Sequence, residues 1–378
     1  MIKTSFHFEI LHASKKSRAR VGKIHTPHGI IDTPNFVAVG TNGTIKSLDN
    51  TILEQIGLQL MFCNTYHLLL QPGTDIIHEA GGLHSFIKRK LPIITDSGGF
   101  QVFSLAYGSV ASELKSKGTK KTDGSVLKIT EEGVLFRSYR DGAKFLLTAE
   151  KSIEAQKKLG ADIIIPFDEL PPYHMDMKAL EKSLERTHRW EERSLNAHLQ
   201  NPQNQAMYAV IHGGVSNDLR GKSCEFLTAL PFDGFAIGGS IGKNKQEMVD
   251  LLEFTMPRLP FEKPNHLLGI GDVESIEKCV PLGIDTFDSS YPTKAARHGL
   301  LLTKTGAIKI EKQENARNFQ PIEKDCECPT CQTHSLAYLH HLYKAKELTA
   351  MSLASLHNLY YMVKLMESYR QQILDDRI

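Results

Sequence analysis

The chain has 378 residues, with 45 Lys and Arg against 43 Asp and Glu, for a formal net charge of +2. That balance excludes a global polycation that coats nucleic acid, while the length exceeds one ordinary domain and suits a large α/β barrel with an appendage. The opening residues, from Met1 to Glu9, form no apolar signal-peptide core, and no run approaches the roughly eighteen apolar residues of a membrane span.

Eight short apolar or β-branched runs recur in chain order, at 36–41, 60–66, 93–98, 162–169, 207–213, 234–240, 266–271 and 284–290. Each ends in small or polar residues and is followed by a helical pattern. Continuous apolar strands alternating with helices imply a parallel sheet buried on both faces, and eight of them predict a closed (β/α)8 barrel within residues 1–300. Residues 104–126, with Ser, Gly and Lys in no clear period, predict a loop insertion. Thr148 is placed to cap a helix over 149–159 that Gly160 stops, and Ser216 precedes another over 217–230. A long, charged, amphipathic helix is expected over 178–200. After about residue 300 the strand rhythm ceases. Residues 301–378 are expected to form a metal-binding subdomain with helices over 335–347 and 350–375, packed on the barrel.

That tail contains Cys326, Cys328 and Cys331, three of only six cysteines in the chain. Thiolates at Cys-x-Cys-x-x-Cys spacing converge on one soft cation, and a fourth nitrogen ligand completes a closed tetrahedral zinc site. By sequence distance His334, His340, His341 and His357 are all in reach. A closed site has no open position for chemistry, so this zinc is expected to be structural. Cys63, Cys224 and Cys279 are scattered and read as reduced core residues, which points to the cytoplasm.

Chemistry in a barrel of this kind gathers at the C-terminal ends of the strands. Here those ends read Asp96-Ser97-Gly98-Gly99-Phe100-Gln101, Asp168-Glu169, His212-Gly213-Gly214, Gly238-Gly239-Ser240 and Asp288-Ser289-Ser290. Acids at separate strand ends offer nucleophile, acid/base and recognition roles. The glycine pairs let a planar ligand approach backbone amides closely.

These motifs, Asp-Ser-Gly-Gly-Phe-Gln at 96–101, Ala-Ile-Gly-Gly at 236–239, Phe-Asp-x-x-x-Pro-Thr at 287–293 and the cysteine–histidine set, resemble those of the tRNA-guanine transglycosylases. The resemblance runs from about Phe6 to the end of the last helix, with the motifs in family order. It implies a zinc-bearing (β/α)8 barrel that exchanges guanine at the wobble position of GUN anticodons for a 7-substituted 7-deazaguanine.

On the same resemblance, Asp288 is the nucleophile that forms a covalent ribosyl-enzyme, and Asp96 the general acid/base. Asp96, Ser97, Gly98, Gly99, Phe100, Asp168, His212, Gly239 and Ser240 surround the base, with Asp168 accepting from its N1–H and 2-amino group. The zinc ligands are Cys326, Cys328, Cys331 and His357. The anticodon loop is bordered by Gly269, Ile270, Gly271, Asp272, Val273, Glu274 and Ser275, and by Thr293, Lys294, Ala295, Ala296 and Arg297. The family also implies a dimer, here expected to be a homodimer. Asp96 is expected in a solvent-filled pocket, where loss of its charge leaves the fold intact.

Three departures from the family pattern stand out. His212 occupies the place of a Gln that donates to the purine carbonyl. Lys294 replaces an Arg and loses its bidentate fork. The loop Ser240-Ile241-Gly242-Lys243-Asn244 is one residue shorter than its bacterial counterpart and lacks the valine and glutamate found there, and Leu170 stands in place of a Cys. An open pocket without that glutamate favours queuine over its aminomethyl precursor.

Overall fold

The computed structural model describes residues 6–107 and 125–378. Its first strands, β1 (His7–Ala13), β2 (Arg20–Thr26) and β3 (Gly29–Thr33), pair antiparallel into a small sheet. Then follow β4 (Asn35–Val39), β5 (Met61–Cys63) and β6 (Ile93–Thr95). A second antiparallel sheet, β7 (Val126–Ile129), β8 (Gly133–Arg137) and β9 (Lys144–Thr148), is inserted next. The remaining barrel strands are β10 (Ile163–Ile164), β11 (Ala206–Ile211), β12 (Gly234–Ile237), β13 (Asn265–Leu267) and β14 (Thr286–Ser289). Strands β4, β5, β6 and β10 to β14 close into one parallel barrel, with β14 pairing back onto β4.

Each of the eight predicted runs contains or overlaps a barrel strand. Alternate residues divide between two apolar clusters, as a pleated strand requires. Val37, Phe62, Ile94, Ile163, Tyr208, Val210 and Ala236 fill the barrel. Phe36, Met61, Ile93, Ile164, Met207 and Phe235 belong to the cluster shared with the outer helices. Ile24 and Ile31 of the first sheet join the interior cluster, so that sheet closes the N-terminal mouth and leaves the opposite end for the site.

Helix signals also read through. Thr148 caps Ala149–Leu159 through Lys151 N–H, and Gly160 takes a left-handed C-cap at φ 70°. Asp176 caps the long helix Met177–Gln200, and Ser216 caps Asn217–Thr228. Two expectations need correction. The strand rhythm does not end at residue 300, because β15 (Leu300–Thr303) and β16 (Gly306–Lys309) form a hairpin there. Nor is 104–126 a loop throughout, since the helix Gly99–Tyr107 covers its start; residues 108–124 of that expectation lie outside the described residues.

The tail ends in helices Leu336–Lys344 and Leu348–Leu374. Leu356, Leu359, Met362, Met366, Tyr369 and Ile373 of the latter are buried in the same cluster as the barrel's outer face. One helix therefore belongs both to the barrel and to the cysteine-rich region. No described helix is long and apolar enough to cross a membrane.

Candidate active site and metal centre

The C-terminal ends of the strands enclose a cavity of about 450 Å³, lined among others by Asp96, Ser97, Phe100, Asp168, Gly239, Gly269 and Asp288. Phe100 is half exposed at its edge. Gly99 packs so closely that a Cβ there would lie 2.7 Å from the Asp168 carbonyl oxygen. Gly239, at φ 76°, would set a Cβ 2.8 Å from His212 Nδ1. Neither position tolerates a side chain without rearrangement.

Asp96 follows β6 and is only 8% exposed. Its Oδ2 accepts from Asn64 Nδ2 at 2.6 Å and Gln101 Nε2 at 2.7 Å. Its Oδ1 accepts from the Thr65 amide at 2.8 Å and the Gly98 amide at 3.2 Å. Burial pushes the carboxyl up to about 6, against the opposing pull of those hydrogen bonds. Asp96 lines the cavity, yet its carboxyl is buried and organises the loops around it, so the expectation that its loss leaves the fold unaffected needs correction. Asn64, Thr65 and Gln101 carry this network, and only Gln101 falls within a motif legible in the sequence.

Asp168 lies beyond β10. It accepts from Ser97 Oγ at 2.9 Å on Oδ1, and its Oδ2 lies 2.8 Å from His212 Nε2. His212 is thus engaged with the carboxylate expected to recognise the base. Its neighbour Glu169 is buried and pairs with Arg186 at 2.7 Å, a structural use of the second acid in that motif.

Asp288, on β14, is 6% exposed and accepts on Oδ1 from the Gly269 amide at 2.7 Å. His266 Nε2 lies 3.1 Å from the same oxygen. Sequence reasoning misses His266, because a histidine within a strand looks the same whether it serves a site or merely fills a core.

Arg220 is missed too. It is fully buried, yet it pairs with backbone rather than a carboxylate: its guanidinium donates to the carbonyls of Ile211, Gly214, Gly238 and Ser240. It therefore fixes both glycine-rich turns from behind. Burial lowers its pKa to about 10, so it stays cationic at neutral pH.

The two segments expected to border RNA flank the cavity. Lys294 and Glu274 are exposed, whereas Gly271, Ser275, Thr293, Ala295 and Ala296 are buried and shape backbone. Asp272 caps the helix Val273–Cys279 and is bridged to Glu274 by Lys245. Of the remaining predicted positions, Ser240 is buried, and Ile270, Val273 and Arg297 are partly exposed.

Cys326, Cys328, Cys331 and His357 come together, all buried. Their sulfurs lie 3.8, 3.5 and 3.4 Å from His357 Nδ1. A tetrahedral ion with zinc's usual Zn–S and Zn–N lengths sets such an edge at about 3.6 Å. His357 Nε2 lies 2.8 Å from the Leu302 carbonyl, which fixes the proton there and turns the Nδ1 lone pair toward the thiols. The donor set fits a metal ion. Of the four histidines in reach by sequence, only His357 joins the cluster.

Asp162, His28 and His84 form another close group at the N-terminal mouth. The two rings stack at 3.5 Å with 10° between planes, so their in-plane lone pairs do not converge on a single ion.

A family model described as queuine tRNA-ribosyltransferase matches residues 14–378. The chain is 75% identical to a queuine tRNA-ribosyltransferase of Protochlamydia amoebophila over 375 residues, covering 99% of this chain and 97% of that protein. It is 56% identical to the protein of the same name from Chlamydia muridarum, covering 99% and 100%. The Chlamydia caviae protein is also 56% identical, covering 98% and 99%.

Proposed function

The chain belongs to the queuine tRNA-ribosyltransferase family, a family of pentosyltransferases in tRNA modification, and from that premise we propose that it exchanges guanine at the wobble position of GUN anticodons for queuine through a ribose ester of Asp288. The observation that carries the reading is a cavity in which two carboxyl groups have unlike surroundings. Asp96 is buried and raised to about 6, while Asp288 has one oxygen anchored by an amide. Such a division suits one acid for proton transfer and one for attack.

In this reading the wobble nucleotide leaves the anticodon stack and enters the cavity. The Asp288 carboxylate attacks the ribose anomeric carbon as the glycosidic C–N bond breaks, and Asp96 in its acid form supplies the proton to the departing purine. The incoming base then attacks the same carbon, frees the Asp288 carboxylate and gives its proton back to Asp96. Asp168, held in place by Ser97 and His212, accepts from N1–H and the 2-amino group. Lys294 and Arg297 contact phosphate beside the site, and the Gly269–Ser275 segment borders the anticodon loop.

Cys326, Cys328, Cys331 and His357 hold a zinc ion. Zinc bound there would cross-link the four side chains, and a closed set of four ligands would leave it structural. Phe319 and Leu348, each 75% exposed, and Tyr338 at 44% present apolar surface around that region. These residues support a homodimer formed there. The reduced thiols and the tRNA partner support a cytoplasmic location.

The preference for queuine rests on the loop after Gly239. Ile241 is buried in the outer core cluster and does not line the cavity. Glu247, the next acid, accepts from the Lys243 amide at 2.6 Å and the Tyr173 hydroxyl at 3.1 Å, also away from it. No bulky side chain from this loop and no free carboxylate therefore select a primary ammonium. The test is release of radiolabelled guanine from a GUN tRNA, with queuine and its aminomethyl precursor offered separately. We expect the specificity constant for queuine to equal or exceed that for the precursor. A clear preference for the precursor overturns the loop reading, and no release with either base overturns the activity.

A further inference from the structure

We infer that His266 is a positioning residue that, with the Gly269 amide, makes the two oxygens of Asp288 unequal: Oδ2 attacks the ribose, and Oδ1 stays anchored throughout the reaction. The inference rests on the reading of Asp288 as nucleophile.

His266 lies on β13, directly beside Thr286 in the register of β13 with β14. It is fully buried, and its ring lies against Phe62 from β5, centroids 5.9 Å apart. Nδ1 is 2.8 Å from Thr286 Oγ1, and that hydroxyl donates to the Asn265 carbonyl at 3.3 Å. A carboxylate oxygen only accepts, so the contact with Asp288 Oδ1 places a ring proton on Nε2. Nε2–H then donates to Asp288 Oδ1 at 3.1 Å, alongside the Gly269 amide at 2.7 Å. Among the described residues, Oδ2 has no hydrogen-bond partner. It is the oxygen with its lone pairs free.

The chemistry follows from that asymmetry. In the first half-reaction a lone pair of Oδ2 forms the bond to the anomeric carbon, and the electron pair of the breaking C–N bond leaves with the purine. Oδ2 becomes the ester's alkyl oxygen and Oδ1 its carbonyl oxygen, still facing both donors. In the second half-reaction the incoming base forms the new C–N bond. The C–Oδ2 bond breaks, its electron pair restores the carboxylate, and negative charge builds on Oδ1, where two N–H groups are already aimed. Donors on Oδ1 stabilise the carboxylate more than the ester. They therefore make Asp288 a better leaving group, and His266 acts chiefly on release of the ribose.

The experiment follows formation and breakdown of the tRNA–protein adduct separately in the full-length zinc-loaded protein. Asp288→Asn should form no adduct; adduct or exchange in that variant means that the nucleophile reading itself has failed. Given an adduct in the wild type, His266→Phe keeps the ring against Phe62 but removes the donor. It should form the adduct and release it to added base about 10–100-fold more slowly, the factor for a hydrogen bond to a charged group, with apparent affinity for the base little changed. His266→Gln, whose amide reaches as far, should recover part of the release rate. If His266→Phe is not soluble, His266→Asn, too short to reach Oδ1, takes its place. Equal slowing of both half-reactions, no slowing of release, or no recovery with Gln overturns the inference.

Discussion

At Asp96, burial and hydrogen bonding pull in opposite directions, and burial wins. The rise from 3.8 to about 6 corresponds to about 3 kcal/mol that this group contributes below pH 4 and loses as pH climbs through 6. That contribution is spent on having an acid with a proton to give near neutral pH. Asp96→Asn puts an amide, with more hydrogens than the acid's single O–H, where the neighbours donate and only Gln101, by turning its Oε1 inward, can accept. A mismatched buried donor costs about 1–3 kcal/mol. The variant should therefore melt below the wild type at pH 5, with the gap narrowing toward pH 7.5 because only the wild type carries the ionisation penalty. Turnover should fall about 10²–10⁴-fold. Thermal melts at the two pH values check the first claim; a gap independent of pH would show that the carboxyl is not raised in the folded state.

Among the elements, the helix Leu348–Leu374 joins the metal cluster to the site. His357 and Asn358 are adjacent on it and look in two directions. His357 faces the cysteines, while Asn358 donates to the carbonyls of Pro292 and Leu300 and accepts from the Leu302 amide. Pro292 lies in the helix Tyr291–Arg297, immediately after Asp288 and Ser290. Farther on, Arg370 donates to the Pro34 carbonyl beside β4. Loss of the ion should therefore loosen more than the hairpin of β15 and β16. Cys328→Ala is expected to lower metal content and tRNA affinity together and to reduce the melting temperature by about 10 °C or more, since metal binding is partly folding free energy. A metal-free protein that melted and bound tRNA like the wild type would show the cluster to be incidental.

The same elements show what a sequence can reveal. The barrel strands stand out because continuous burial makes them uniformly apolar. β1 alternates between exposed and half-buried positions and carries His7, Glu9 and His12, so it lacks that mark. The hairpin of β15 and β16 turns within four residues, from Thr303 to Gly306. Asp96, Asp168 and Asp288 lie in local motifs and could be read directly. The groups around them, Asn64, Thr65, His266 and Arg220, come from another strand and from the starts of the helices Thr65–Leu70 and Asn217–Thr228, and only the folded barrel brings them near.

On the scale of the whole molecule, the two ends of the barrel are held by different means. The end that carries the cavity is held by loops and the helix Leu348–Leu374, the N-terminal end by buried charge. Arg20 of β2 makes a bidentate contact with Asp285 at 2.9 and 2.6 Å. Asp162, ahead of β10, accepts from the Ile93 amide at 2.8 Å and lies 2.7 Å from His28 Nδ1 and 3.1 Å from His84 Nε2. It thereby ties the first sheet and the helix Gly82–Phe86 to the seam between β6 and β10. Burial alone would raise its carboxyl, but the histidine hydrogen bonds outweigh it and hold the group well below the usual carboxylate range. The same hydrogen bond raises His28. The signs then fix a window. A depressed carboxyl contributes stability above its unfolded value near 4 and loses it as pH falls toward the folded one. A raised imidazole contributes most below its unfolded value near 6.5 and loses it as pH rises past the folded one. Asp162→Asn should therefore lower the melting temperature most between about pH 4 and 6.5, with a smaller difference on either side. Melting wild type and variant from pH 3 to 9 tests this. A difference that kept growing above pH 8 would mean that Asp162 holds the seam through its amide contacts alone, with no share from a charged His28.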